Sequence, residues 1–171
     1  MERQEAAAAV EEFRGVTEAL PLWIQGRINL GIALLNSQKD ADLPACEKIL
    51  NAVLKDDPLN PHAHYALGML RLNGSDMERA RAEFEATLRA DPGDVYSLYQ
   101  LGAIARMKGQ TAAAERYFQK ALESSPHFSS AYYALSRLAF LAGNPGEGRR
   151  FLDRFLELDR AHIGLKPGMK Y

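Results

Sequence analysis

Four histidines, one cysteine and two pairs of neighbouring acids are the residues of this chain best suited to chemistry, and their spacing argues against it. His62 and His64 stand two apart, so on a helix they point to different sides and make a poor metal pair. His127 and His162 have no histidine near them in the sequence. There is no His-Glu-x-x-His pattern, no glycine-rich phosphate loop, and no second cysteine to join Cys46 in a zinc site or an internal disulfide. Cys46 is expected to be a small, buried packing residue. Glu11-Glu12 and Glu83 with Glu85 fit exposed helix faces better than acid–base pairs. Catalysis needs several polar groups converging on one point. These spacings do not supply that, so the expectation is a non-catalytic protein without metal or cofactor.

Charge excludes two further classes. The 171 residues carry a formal net charge of −1, so no whole-molecule field draws the chain to nucleic acid or anionic lipid. The densest basic cluster is Arg149, Arg150, Arg154 and Arg160, with Lys166 and Lys170. Glu147, Asp153, Glu157 and Asp159 interleave with it, which reads as a solvated, ion-paired face. The opening MERQEAAAAVEEF holds acids where a secretory signal would hold bases. The longest apolar run, Leu30 to Leu35, is far too short to cross a bilayer. Neither nucleic acid nor membrane is an expected partner, and the compartment stays open, with the cytoplasm slightly favoured.

The elements that could position a site are helices, and they recur. Leu67-Gly68 and Leu101-Gly102 lie 34 residues apart, Leu135-Ser136 a further 34 on, and Leu30-Gly31 37 before the first pair. A fixed interval of this size marks a repeat architecture. The three extra residues of the first unit belong in the polar turn NSQKDAD. Behind each leucine comes a second stripe of small, large and apolar residues four apart: Cys46, Leu50, Leu54; Ala80, Phe84, Leu88; Ala114, Phe118, Leu122; Gly148, Leu152, Leu156. That spacing is one face of a helix. Asn60-Pro61 and Asn144-Pro145 start helices, Ser75 with Glu78 fits a capping box, and Gly109 and Gly143 suit left-handed helix ends. Asp57-Pro58, Asp91-Pro92 and Ser125-Pro126 close the second helices. Small residues imply close axes, with Gly68 expected against Ala80 and Gly102 against Ala114.

This pattern resembles the tetratricopeptide repeat family. Residues 61–94 and 95–128 carry nearly the whole motif, and 24–60 and 129–162 carry weaker versions. His64, Leu98 and Tyr132 stand in the place of the family's early tryptophan, a core place. Ala9, Phe13, Val16 and Pro21 reproduce a second-helix spacing, so 3–21 reads as a half-repeat and the chain as a piece of something longer. Residues 163–171, with Gly164, Pro167 and Gly168, are expected to be an irregular tail. The resemblance implies an all-α, right-handed superhelical solenoid of antiparallel helix pairs, about four units plus the half-repeat.

It also implies a binding surface. In the family the first helices line a concave face, through residues five and two before the leucine and two and five after it. On this chain that stripe includes Ile28 and Ile32, with Asn29 beside them; His62, Tyr65 and Met69; Tyr96, Tyr99 and Arg106, with Gln100 beside them; and Tyr133, Arg137 and Phe140. The stripe is rich in tyrosine and lacks acids. The expected function is therefore a protein–protein interaction scaffold. Its partner would be a peptide or protein segment with apolar or aromatic side chains and an adjacent acidic group. A structural spacer or self-association through the terminal helices is the alternative. The lysine–asparagine clamp by which some family members hold acidic chaperone tails does not fit: Ile28, Ile32, Ala66, Tyr96 and Gln100 occupy one possible set of its places, and Tyr65, Met69, Gln100, Ser130 and Ala134 the other.

Overall fold

Three helix starts, those at Asn60, Asp76 and Asp94, are built by a side chain that replaces a missing backbone partner. Asn60 Oδ1 accepts from the Ala63 amide at 3.0 Å, and Asp94 Oδ1 accepts from the Ser97 amide at 2.7 Å. These caps satisfy first-turn amides that have no carbonyl to bond. The capping box expected at Ser75 is not formed. Asp76 takes the cap, its Oδ1 accepting from the Arg79 amide, while Ser75 sits in the turn with φ 60°. Gly109 and Gly143 have φ 72° and 77°, the left-handed conformation expected of them.

The computed structural model describes residues 2–37 and 39–165, with side-chain surroundings for 5–37 and 39–159. Arg160, His162, Lys166, Lys170, Pro167 and Gly168 therefore lie outside the residues whose side chains are described. Among the described residues every element is helical. Two units divide the chain, Met1–Pro92 and Gly93–Tyr171. The first holds α1 (Glu2–Ala19), α2 (Ile24–Asn36), α3 (Leu43–Asp56), α4 (Pro61–Asn73) and α5 (Met77–Ala90). The second holds α6 (Val95–Met107), α7 (Thr111–Ser124), α8 (Ser129–Leu141) and α9 (Pro145–Leu165). Successive helices within each unit pack on one another as pairs.

The polar turn of the first unit keeps its expected place, and the expectation for the tail changes. The polar insertion is ordered where it is described. Asp40–Asp42 forms a turn of 3-10 helix, and the buried Ser37 hydroxyl donates to Asp42 Oδ2 at 2.7 Å. The helix before the tail runs on to Leu165, so 163–165 are helical and not irregular. A single glycine such as Gly164 costs a helix only about 1 kcal/mol, too little to stop it.

The seam between paired helices is a glycine facing a ring. A Cβ placed on Gly68 would lie 2.6 Å from the Phe84 ring, and one on Gly102 would lie 2.6 Å from the Phe118 ring. The expected neighbours, Ala80 and Ala114, are fully buried, but it is the aromatic one helical turn further on that occupies the space above each glycine. The reason is volume: a buried ring needs a facing position with no side chain. Gly31 does the same for Leu50. In α8–α9 the sizes are exchanged, with Gly148 on the second helix beneath the Phe140 ring of the first. Leu67, Leu101 and Leu135 are buried beside these contacts.

Ion pairs tie the first unit together at its edges. Arg27 donates to Asp56 at 2.6 Å across α2 and α3, and Arg71 pairs with Glu47 across α4 and α3. His64 and Tyr132, both half-buried in the tryptophan place, each reach back to a proline carbonyl, Pro58 O at 3.1 Å and Pro126 O at 3.2 Å. His64 also meets Glu83 at 2.7 Å, so Glu83 is half-buried and engaged, and does not lie on the exposed face expected of it.

Candidate partner-binding site

Three parts of the second unit build one aromatic face. Tyr99 on α6 lies between two rings, Phe118 of α7 at 5.5 Å and Phe128 at 5.7 Å, the latter edge-on. Tyr96 meets the same Phe128 edge-on at 5.6 Å. Edge-to-face contacts of this kind contribute roughly 0.5–1.5 kcal/mol beyond burial and hold rings in one orientation. On α8, Tyr133 packs against Phe155 of α9 at 5.3 Å, and the Arg137 guanidinium lies 5.9 Å from the Tyr133 ring centre. Tyr96 is 57% and Tyr133 44% exposed, which leaves a wide surface on rings that are already braced.

Between α6 and α8 these groups border a small open notch of about 50 Å³. Phe118 lines it from α7, Tyr99, Ala103 and Arg106 from α6, and Tyr133, Ala134 and Arg137 from α8. Alanine at 103 and 134 makes the space, because a longer side chain at either place would fill it. Both arginines are exposed, and among the described residues neither is paired with a carboxylate. A second notch, lined by Leu135, Leu138, Ala139 and Phe151 with Glu115 and Glu147, lies elsewhere in the same unit and carries the opposite charge.

Phe128 is the residue that sequence reasoning missed. It stands 34 residues after Asp94 and 68 after Asn60, so it occupies the cap position of its helix. A phenylalanine cannot cap, and α8 begins with no side-chain cap. Losing such a cap costs about 1 kcal/mol. The ring is spent instead on bracing Tyr96 and Tyr99. The sequence signal is a phenylalanine at the position where the two preceding units have Asn60 and Asp94.

The remaining expected residues are distributed as follows. Phe140 is 42% exposed with its ring resting on Gly148, and Gln100 is half-buried on α6. In the first unit His62 is exposed, Ile32 is partly exposed, and Asn29 accepts from Gln25 Nε2 at 2.9 Å. Tyr65 packs on Phe84 at 5.6 Å, and Met69 lies against the core. Ile28 corrects the expectation: it is 1% exposed and belongs to the core of that unit, so it offers no surface to a ligand. The two-residue spacing that put it on the stripe does not see how far α2 is rotated toward its neighbours.

Cys46 is fully buried, and its thiol donates to Gly31 O at 3.1 Å. Burial first, then the nearby Glu47 charge, pushes its pKa up to about 11. The raised value favours the folded state below about pH 9, and that contribution is lost as pH rises from there toward 11. A thiol reagent at pH 8 is expected to label Cys46 only at the rate of unfolding and at once in denaturant. Rapid labelling of the native protein would contradict its placement.

Models of the tetratricopeptide repeat match residues 39–95 and again residues 105–163. The chain belongs to the tetratricopeptide repeat family. Solved structures agree on the fold. A structure of MamA superposes with a TM-score of 0.76 at 17% identity, covering 94% of this chain and 92% of that one. MamA of Desulfovibrio magneticus RS-1, from residue 41 to its end, gives 0.72 at 21% identity, covering 91% and 86%. PilF of Pseudomonas aeruginosa gives 0.71 at 19% identity, covering 80% of this repeat protein and 61% of PilF. At these identities the likeness is one of fold, an all-helical solenoid of paired helices. No curated protein matches this tetratricopeptide repeat chain in sequence. Members of this family are generally non-catalytic scaffolds, and membership supports a protein-interaction role for the chain. Among the described residues no helix is long and apolar enough to cross a membrane.

Proposed function

We propose that this chain is a non-catalytic scaffold that binds a peptide or an extended protein segment on the tyrosine-rich face of α6 and α8. The observation that carries this reading is the combination of exposure and rigidity at Tyr96 and Tyr133, with the half-buried Tyr99 between them. Each ring is braced by a phenylalanine, so little side-chain freedom remains to be lost on binding. Tyrosine and arginine are also the residue types most often found at the energetic centre of interfaces. The half-buried Gln100 amide on α6 is suited to hold the main chain of such a segment. A short peptide on a surface of this size is expected to bind near micromolar, roughly −8 kcal/mol.

Selection of displayed random peptides on the intact chain tests the proposal. Recovered peptides are expected to bind Tyr99→Ala/Arg106→Ala at least about tenfold more weakly, a loss of about 1.4 kcal/mol. The helical circular dichroism of the double variant should be retained. Undiminished binding to the folded double variant rejects this face as the site.

A further inference from the structure

The notch between α6 and α8 has a direction. Two tight turns reverse the chain between these helices, so α6 and α8 run the same way. On both of them the tyrosine precedes the arginine, Tyr99 before Arg106 and Tyr133 before Arg137. One end of the notch is therefore aromatic and the other cationic. No acid lines it. A ligand that uses the whole notch must bring an apolar group to the first end and an anion to the second.

The distance between the two ends is set by helix geometry. Four residues from Tyr133 to Arg137 advance about 6 Å along the axis, and seven from Tyr99 to Arg106 advance about 10 Å. On α8 the Arg137 guanidinium lies 5.9 Å from the Tyr133 ring centre, so the side chains keep the shorter of the two reaches there. A guanidinium laid against a ring keeps its in-plane N–H groups available to a carboxylate. In an extended peptide, side chains on one face recur every second residue, about 6.6–7 Å apart. Neighbouring residues point to opposite faces and cannot enter together. The Tyr133–Arg137 pair on α8 thus has close to the spacing of the extended chain.

We infer that the notch reads a partner segment with an apolar side chain followed or preceded, two residues away, by an aspartate or glutamate. The apolar group lies between Tyr99 and Tyr133, and the carboxylate lies between Arg106 and Arg137. This inference rests on the binding role proposed above for the same face.

The test uses the intact chain and fluorescein-labelled heptapeptides, acetylated and amidated so that no terminal charge is present. A Leu-Ser-Glu core in a Gly/Ser background is compared with Leu-Ser-Gln, with Leu-Glu and Leu-Ser-Ser-Glu, and with a peptide ending in leucine with a free carboxylate and no glutamate. Leu-Ser-Glu is expected to bind about tenfold tighter than Leu-Ser-Gln, as for a charge-assisted hydrogen bond, and tighter than either altered spacing. The preference should shrink in 0.5 M salt, roughly the regime in which surface charges are screened beyond a few ångströms. In Arg106→Gln/Arg137→Gln the Glu and Gln peptides should bind alike. If peptides bind but Glu and Gln are equal in the native chain, or all spacings are equal, the inference fails while the face remains a binding site for apolar segments. Binding of the free-carboxylate peptide alone overturns it in favour of a chain terminus. A Glu preference that survives in the arginine double variant overturns it too. If no peptide of the series binds at 1 mM while peptides selected from a random library do, and do so on this face, only the inference is lost. If neither set binds, both readings are lost.

Discussion

Phe118→Ala is expected to destabilise the protein by about 3–5 kcal/mol, the range for removing a buried aromatic ring. The ring is 1% exposed, fills the space that Gly102 leaves open, and supports the Tyr99 ring at 5.5 Å. Truncation removes the burial of the ring and leaves a cavity that the rigid helix pair cannot close. Against a usual total of about 5–15 kcal/mol, the loss is a large share of the stability. Urea unfolding followed by circular dichroism measures it as a lower midpoint with an unchanged slope. Phe84→Ala should cost a similar amount, because Phe84 is fully buried over Gly68 in the equivalent place. A cost below about 1 kcal/mol at Phe118, within the range of ordinary surface substitutions and small core changes, would mean that the seam is held by something else. Tyr96→Ala, at an exposed ring, should change the midpoint little, and so separates a packing role from a binding role.

Gly102→Val is the second large effect, and its comparison is Gly15→Ala. A Cβ at Gly102 would meet three atoms of the Phe118 ring at 2.6, 2.8 and 2.9 Å. Carbon atoms settle at about 3.5–4.0 Å, and a buried ring has nowhere to turn. Overpacking of this kind costs roughly 1–3 kcal/mol, and it outweighs the helix-propensity gain, which for the β-branched valine is less than the roughly 0.5–1 kcal/mol of a glycine-to-alanine change. Gly15 lies in α1 with nothing within 4 Å of its Cβ position, so Gly15→Ala keeps the gain alone and should raise the melting temperature. Opposite signs for two substitutions of helical glycine are the expected result. Combining Gly102→Val with Phe118→Leu should cost less than the two single changes added, since the smaller side chain relieves the clash. Strict additivity would show that the two residues do not touch.

Much of this protein was legible in its residues. The 34-residue interval between Leu67-Gly68 and Leu101-Gly102, the four-residue stripes behind them, and the cap at Asn60 are local features. They state how each helix begins, which side is apolar, and that pairs recur, because backbone hydrogen bonding and side-chain periodicity act within a few residues. The concave-face positions implied by the family resemblance named Tyr99, Tyr133, Arg106 and Arg137, and these four residues line one notch.

What local spacing cannot express is how far each helix is rotated against its neighbours and which rotamer a side chain takes there. Ile28 fell on the stripe but turned into the core, and Gly68 and Gly102 face rings where alanines were expected. Phe128 broke the capping series without revealing that its ring would brace Tyr96 and Tyr99. The placement of Arg137 over Tyr133, and with it the compact distance between an aromatic and a cationic end, depends on contacts between α7, α8 and α9. The sequence by itself determined the helices and their pairing, through interactions that repeat along the chain. Only the tertiary structure decided the shape and polarity of the site, because those arise where side chains from separate helices compete for one volume.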